Sequence, residues 1–153
     1  MAQTSSSGAP PGGGSPTGSL RAIPADHEAE RAVLGALLLD HDALYKVADK
    51  LRPESFDLPR HRIIYSACME LSHKHEALTL LTLRSYLDER GELEAIGGLG
   101  ALTTLQDAVV TAAHIDHHAD LVHKKALARS LIRTCEAIAG RGYEAAEPVS
   151  ELR

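Results

Sequence analysis

Aromatic side chains are scarce in this 153-residue chain, which has one phenylalanine, four tyrosines and no tryptophan. Phe56, Tyr45, Tyr65, Tyr86 and Tyr143 are scattered rather than grouped. Binders of single-stranded nucleic acid stack bases on clustered aromatic faces, so that mode of recognition has no support here. Cysteine is sparser still: Cys68 and Cys135 lie far apart, without a CxxC partner. Each falls on an apolar helical stripe, and both are expected as buried, reduced thiols of a cytoplasmic protein. No apolar run approaches the roughly 18–20 residues that cross a bilayer, and the N-terminus lacks the basic and apolar regions of a secretory signal. No membrane partner is expected.

A strong excess of charge of one sign is also missing. The net charge of −5 is mild and argues against a dedicated nucleic-acid binder. Its distribution is uneven: acids dominate from Asp26 to Asp57, whereas Leu121 to Arg141 is basic apart from Glu136. Lys124, Lys125, Arg129 and Arg133 form the candidate basic surface of that segment. Such cations touch phosphates or an acidic protein surface, or else complement the C-terminal dipole of a helix and solvate its outer face.

Catalytic signatures are absent in the same way. Gly97-Gly98-Leu99-Gly100 precedes a predicted helix, but no lysine follows a glycine anywhere and no strand precedes the run, so it reads as an interhelical turn. His114, His117 and His118 share one helical face, with Asp116, Asp120 and His123 nearby, and are weak metal-ligand candidates. No HExxH accompanies them. The neighbouring carboxylates Glu28 and Glu30, and Asp88 and Glu89, are expected on solvated helix faces. No enzyme activity or cofactor is expected of this chain.

What the chain does have is helical periodicity. The uncharged Ser/Gly/Pro/Thr stretch from Met1 to Ser19 cannot bury enough apolar surface to order itself, so residues 1–21 read as a disordered tail. Pro24 and Asp26 then open a first helix carrying Val33, Leu34, Leu37 and Leu38 on one face. Asp40 or Asp42 caps a second helix with Leu44, Val47, Ala48 and Leu51. Pro53 starts a short turn leading to Phe56, and Pro59 starts a third helix with Ile64, Cys68 and Leu71. Thr79 or Thr82 caps a fourth helix that Gly91 ends, and Leu99, Leu102, Leu105 and Val109 mark a fifth.

The last periodic segment runs from His114 to about Ala139, where Gly140 and Gly142 are expected to stop it. Its stripe includes Ile115, Ala119, Val122, Leu131, Ile132, Cys135 and Ile138. At 1.5 Å per residue it would span about 39 Å, longer than a small core needs. The expected fold is therefore all-α: a compact helical core over about 22–98, followed by a projecting helical hairpin over about 99–140. Apolar positions on a projecting hairpin suit self-association, and Ile115, Val122, Leu131, Ile132, Cys135 and Ile138 are the candidate interface.

Taken in order, these segments resemble the N-terminal domain of bacterial DnaB-type replicative helicases. The resemblance rests on Ile23-Pro24-Ala25-Asp26-His27-Glu28-Ala29-Glu30 with Ala32-Val33-Leu34-Gly35-Ala36-Leu37-Leu38-Leu39-Asp40. It continues through Glu54-Ser55-Phe56, Pro59-Arg60-His61-Arg62-Ile63-Ile64-Tyr65 and Leu81-Thr82-Leu83. Gly91-Glu92-Leu93-Glu94-Ala95-Ile96-Gly97-Gly98, and Ala119, Leu121-Val122, Lys125 and Arg129-Ser130-Leu131-Ile132, complete it. Residues 22–143 are covered. Asp57 stands where the family usually has Tyr, Thr79 where it usually has Asp, and Ala113-His114-Ile115 where Ala-Asn-Ile is common.

The resemblance implies a six-subunit ring in which such domains form the collar, pair through their hairpins, and contact primase and, in some bacteria, a helicase loader. It also implies a linker beginning over 144–153 and a RecA-like motor beyond it that would hold ATP and magnesium. A stand-alone collar-like adaptor or inhibitor of a helicase would use the same residues. A weak nucleic-acid-binding helical module is the remaining alternative, one that would depend on the basic last helix.

Overall fold

The computed structural model describes residues 21–146. The expected tail over 1–21 lies outside the described residues except for Arg21, and the expected linker over 144–153 does so beyond Ala146, its first three residues belonging to α6 instead. Within them every regular element is helical, as the periodicity predicted. The order is α1 (His27–Leu39), α2 (Ala43–Val47), a 3-10 turn (Pro53–Ser55), α3 (Pro59–His73), α4 (Leu80–Glu89), a second 3-10 turn (Glu94–Ile96), α5 (Gly98–Asp107) and α6 (Ile115–Ala146).

Local chemistry sets most of the boundaries. The Asp26 carboxylate accepts from the Ala29 amide at 2.9 Å, satisfying one of the free donors at the start of α1. Thr79 accepts from the Thr82 amide while the Thr82 hydroxyl accepts from the Thr79 amide, a reciprocal cap that opens α4. Pro59 occupies the first turn of α3, where its missing N–H costs nothing. Gly97 and Gly98 turn the chain into α5 with φ of 101° and 75°, a left-handed backbone that suits glycine.

α1 is the hub of the head. It packs against α3, α5 and the first half of α6, and its Val33, Leu34 and Leu37 are fully buried. Phe56, Ile64, Tyr65, Leu71, Leu83, Leu87 and Leu102 complete the core around them. Each such side chain contributes on the order of 1.5–3 kcal/mol through its burial. α5 approaches α1 very closely: a Cβ on Gly35 would lie 2.3 Å from the Leu105 carbonyl oxygen. Only a residue without a side chain fits that crossing.

α5 therefore belongs to the head, with Leu102 and Leu105 buried. The boundary between head and projection falls inside α6 rather than before α5. Gly140 and Gly142 do not end α6, which continues to Ala146. A helix-interior glycine costs only about 1 kcal/mol relative to alanine, and neither residue adopts the left-handed backbone that closes a helix.

Candidate interaction surface

α6 has two halves with the same apolar periodicity and different surroundings. In the first, Ile115, Ala119 and Val122 are buried against the head, Val122 at 1% exposure. In the second, every side chain from Ser130 to Ala146 is exposed. Leu131 is 65% exposed and Ile138 62%, with Leu127 and Ile132 also on the surface. Cys135 lies among them as an exposed free thiol.

Four expectations change at this point. Ile115 and Val122 are core residues: α1 and α2 cover that part of α6, so neither has surface left for a partner. Leu131, Ile132, Cys135 and Ile138 remain as a connected exposed patch. Cys135 is not buried, because no element among the described residues packs over its turn of α6. Cys68 is fully buried, and burial pushes its thiol up to about 12, which makes it chemically inert.

The basic surface loses its central member. Arg129 is buried at 2% exposure, and its guanidinium donates to the Pro24 carbonyl at 2.9 Å and the Ser55 carbonyl at 2.7 Å. Lys124 and Arg133 are exposed and Lys125 is half-buried, so the remaining cations are spaced along the helix instead of converging.

Glu30 is the fourth. It is 1% exposed rather than solvated, and accepts from His61 Nδ1 at 2.6 Å and from the Asp57 amide. These polar contacts bind the 52–58 segment to the head from several sides. Asp57 Oδ2 accepts from His27 Nε2 at 2.7 Å, and Arg62 donates to the Phe56 and Asp57 carbonyls. The His27 hydrogen bond, aided by the charges of Arg129 and Arg62, holds the Asp57 carboxyl below its ordinary value against partial burial. Tyr65 donates to the Leu51 carbonyl at 3.0 Å, and burial raises its hydroxyl to about 12.

A readable signal marked each of the buried polar groups. Glu30 precedes Val33, Leu34 and Leu37 by three, four and seven residues, and so lies on the buried stripe. His61 stands in the same relation to Ile64, Tyr65 and Cys68, and Arg129 follows Val122 by seven. A charged residue at a stripe position points to a buried partner.

His114 and His118 line a groove between α1 and the start of α6, and the His117 and His118 rings lie 5.6 Å apart. Among the described residues no group of three or more His, Cys, Asp or Glu is placed to hold a metal ion. Asp120, near these histidines, is engaged by Lys50, whose hydrogen bond lowers its carboxyl from the ordinary value. No helix among the described residues is long and apolar enough to cross a membrane.

This arrangement, an α1-centred head from which a long last helix departs, has known counterparts. The model of the DnaB-like helicase N-terminal domain matches residues 22–124. The chain belongs to that family. The replicative DNA helicase DnaB of Geobacillus stearothermophilus is 39% identical over 134 residues, covering 88% of this chain and 30% of that protein. The chain thus spans about 30% of the length of this DnaB relative. The crystal structure of the N-terminal domain of DnaB helicase from Mycobacterium tuberculosis superposes with a TM-score of 0.80 at 38% identity, covering 83% of this chain and 91% of that one. A DnaB-like replicative helicase whose structure is described with its interactions with primase matches with a TM-score of 0.67 at 27% identity, over 76% of this chain and 27% of that one.

Proposed function

We propose that this chain is a protein-interaction and self-association domain of a replicative DNA helicase, serving in the collar of its ring and in contact with primase. The observation that carries the reading is the free half of α6, which presents Leu131, Ile132 and Ile138 to solvent along one continuous helix. Covering such side chains with a partner releases their hydration, worth on the order of 1–2 kcal/mol each. The DnaB domain from Mycobacterium tuberculosis supports the reading by its close structural likeness, and the primase-binding DnaB-like helicase supports the partner.

In this reading the domain holds no cofactor and turns nothing over. ATP and magnesium belong to the motor portion of the longer relatives, and contact with a loader in some bacteria belongs to the same collar role. The site of action is the replication fork in the bacterial cytoplasm. A collar acts by tethering, which raises the effective concentration of partners at the fork without new chemistry.

The test is sedimentation of the purified chain over a range of concentrations, alongside the double variant Leu131→Asp/Ile138→Asp. Both side chains are exposed, so the variant should keep its helical spectrum and thermal midpoint. Reversible association of the parent and a monomeric variant are expected. An association constant unchanged by the two aspartates would overturn the proposed surface, and ATP hydrolysis by clean protein would overturn the assignment of turnover to the motor.

A further inference from the structure

We propose that Arg129 is a latch that fixes the direction in which the free half of α6 leaves the head. It is the last fully buried side chain of α6, and every described residue after it is exposed. Its guanidinium joins α6 to two segments that are distant in sequence. It donates to the carbonyl of Pro24, which precedes α1, and to that of Ser55, which ends the first 3-10 turn. Its Nε also lies 3.9 Å from the Asp57 carboxylate, which His27 of α1 holds from the other side.

A buried guanidinium is tolerated only where its donors find partners. No buried side-chain nitrogen or oxygen among the described residues lacks a hydrogen-bond partner, so this one meets that condition. Arginine suits the position because its planar fork reaches two carbonyls at once, whereas a lysine ammonium on one flexible stem does not hold that geometry.

Mechanical leverage gives the contact its consequence. Between Ile115 and Arg129 the head holds α6 over about 21 Å, and between Arg129 and Ala146 the free arm extends about 26 Å. Without the latch the last fully buried contact is Val122. Over the roughly 11 Å from there to Arg129 only half-buried side chains such as Ala126 and Ala128 still meet the head. A tilt of roughly 10° at Arg129 would move the tip of a 26 Å arm by about 4–5 Å, enough to change which side chains meet across an assembly. The consequence for assembly rests on the self-association proposed above, but the latch itself does not.

The test is a distance distribution between spin labels at Ser85→Cys on α4 and Glu144→Cys on α6, in a Cys135→Ser background. Cys68 is fully buried with its thiol raised to about 12, and so escapes labelling. Labelled chains diluted among unlabelled copies report the distance within one chain, whatever its state of association. The parent should give one narrow distribution, and Arg129→Met a distribution at least about twofold wider with its far-UV helical signal retained. Leu83→Ala, which weakens the head away from the latch, should lower the melting point without widening the distribution. An unchanged width in Arg129→Met, or equal widening in Leu83→Ala, would overturn the latch. Should Arg129→Met fail to fold, Arg129→Lys is read against the same two outcomes. A parent that never associates yet shows the narrow distribution, widened by Arg129→Met, would count against the self-association reading and leave the latch standing.

Discussion

The two halves of α6 carry similar residues at similar spacing and have opposite fates. Ile115, Ala119 and Val122 are sealed against α1 and α2, whereas Leu131, Ile132 and Ile138 meet only solvent among the described residues. Nothing in the local sequence accounts for this. The head supplies a complementary surface as far as Arg129, and beyond that point the helix outruns it. A helical stripe therefore says that a residue will be buried, but not whether its own head or a second molecule will bury it.

The largest effect that sharpens this contrast should come from the polar network on the head side. Glu30→Ala would leave His61 and the Asp57 amide without their acceptor inside the core. Breaking one side of a buried pair typically costs about 3–5 kcal/mol, which urea titration followed by circular dichroism would register as a large fall in the unfolding midpoint. A midpoint within error of the parent would mean that the pair is dispensable to the head.

The contrast itself is tested next by two substitutions of one chemistry in one helix. Ile115→Ala should cost about 2–4 kcal/mol through lost burial and the cavity left behind. Ile138→Ala should change the stability of the dilute monomer by less than about 0.5 kcal/mol. Equal costs in the same urea titration would mean that the two halves do not differ as described.

Acid should act on the held half through Asp57. Its carboxyl is depressed in the folded state, mainly by the His27 hydrogen bond, so the associated stability is fully present above the ordinary value of 3.8. It is lost as the pH falls below that value and through the folded one. The urea midpoint measured from pH 5 down to pH 2.5 should accordingly fall less steeply in Asp57→Asn than in the parent. Parallel curves would mean that Asp57 contributes nothing to the acid sensitivity.

The smallest effect is a matter of reactivity. Under native conditions one equivalent of iodoacetamide should modify Cys135, while Cys68 reacts only after unfolding, as peptide mapping would show. Modification of Cys68 in the folded chain would contradict its burial.

Much of the architecture was legible because it depends on neighbours in the chain. The Asp26 and Thr79 caps, the prolines that open helices, and the glycines at Gly91, Gly97 and Gly98 act within three or four residues of themselves. The end of α6 departs from the sequence expectation for a related reason: Gly140 and Gly142 weaken a helix locally but cannot stop one by themselves. Family membership was legible too, as a resemblance carried by segments such as Ile23 to Glu30, Ala32 to Asp40 and Pro59 to Tyr65 in their order along the chain. The candidate site was only half legible. The exposed patch at Leu131, Ile132, Cys135 and Ile138 was among the expected residues, but so were Ile115 and Val122, which have the same periodicity and are buried.

By itself, then, the sequence determined that the described chain is helical, where most of its helices begin, which face of each is apolar, and which family it belongs to. Tertiary structure alone decided three further things. It put α5 against α1 at Gly35, it supplied the partners that Glu30, His61 and Arg129 meet inside the head, and it divided α6 at Arg129. The physical reason is one of range. Caps and periodicity are satisfied by backbone groups a few residues away, whereas burial depends on what a distant segment brings to the same place. For Arg129 those segments are 74 and 105 residues distant.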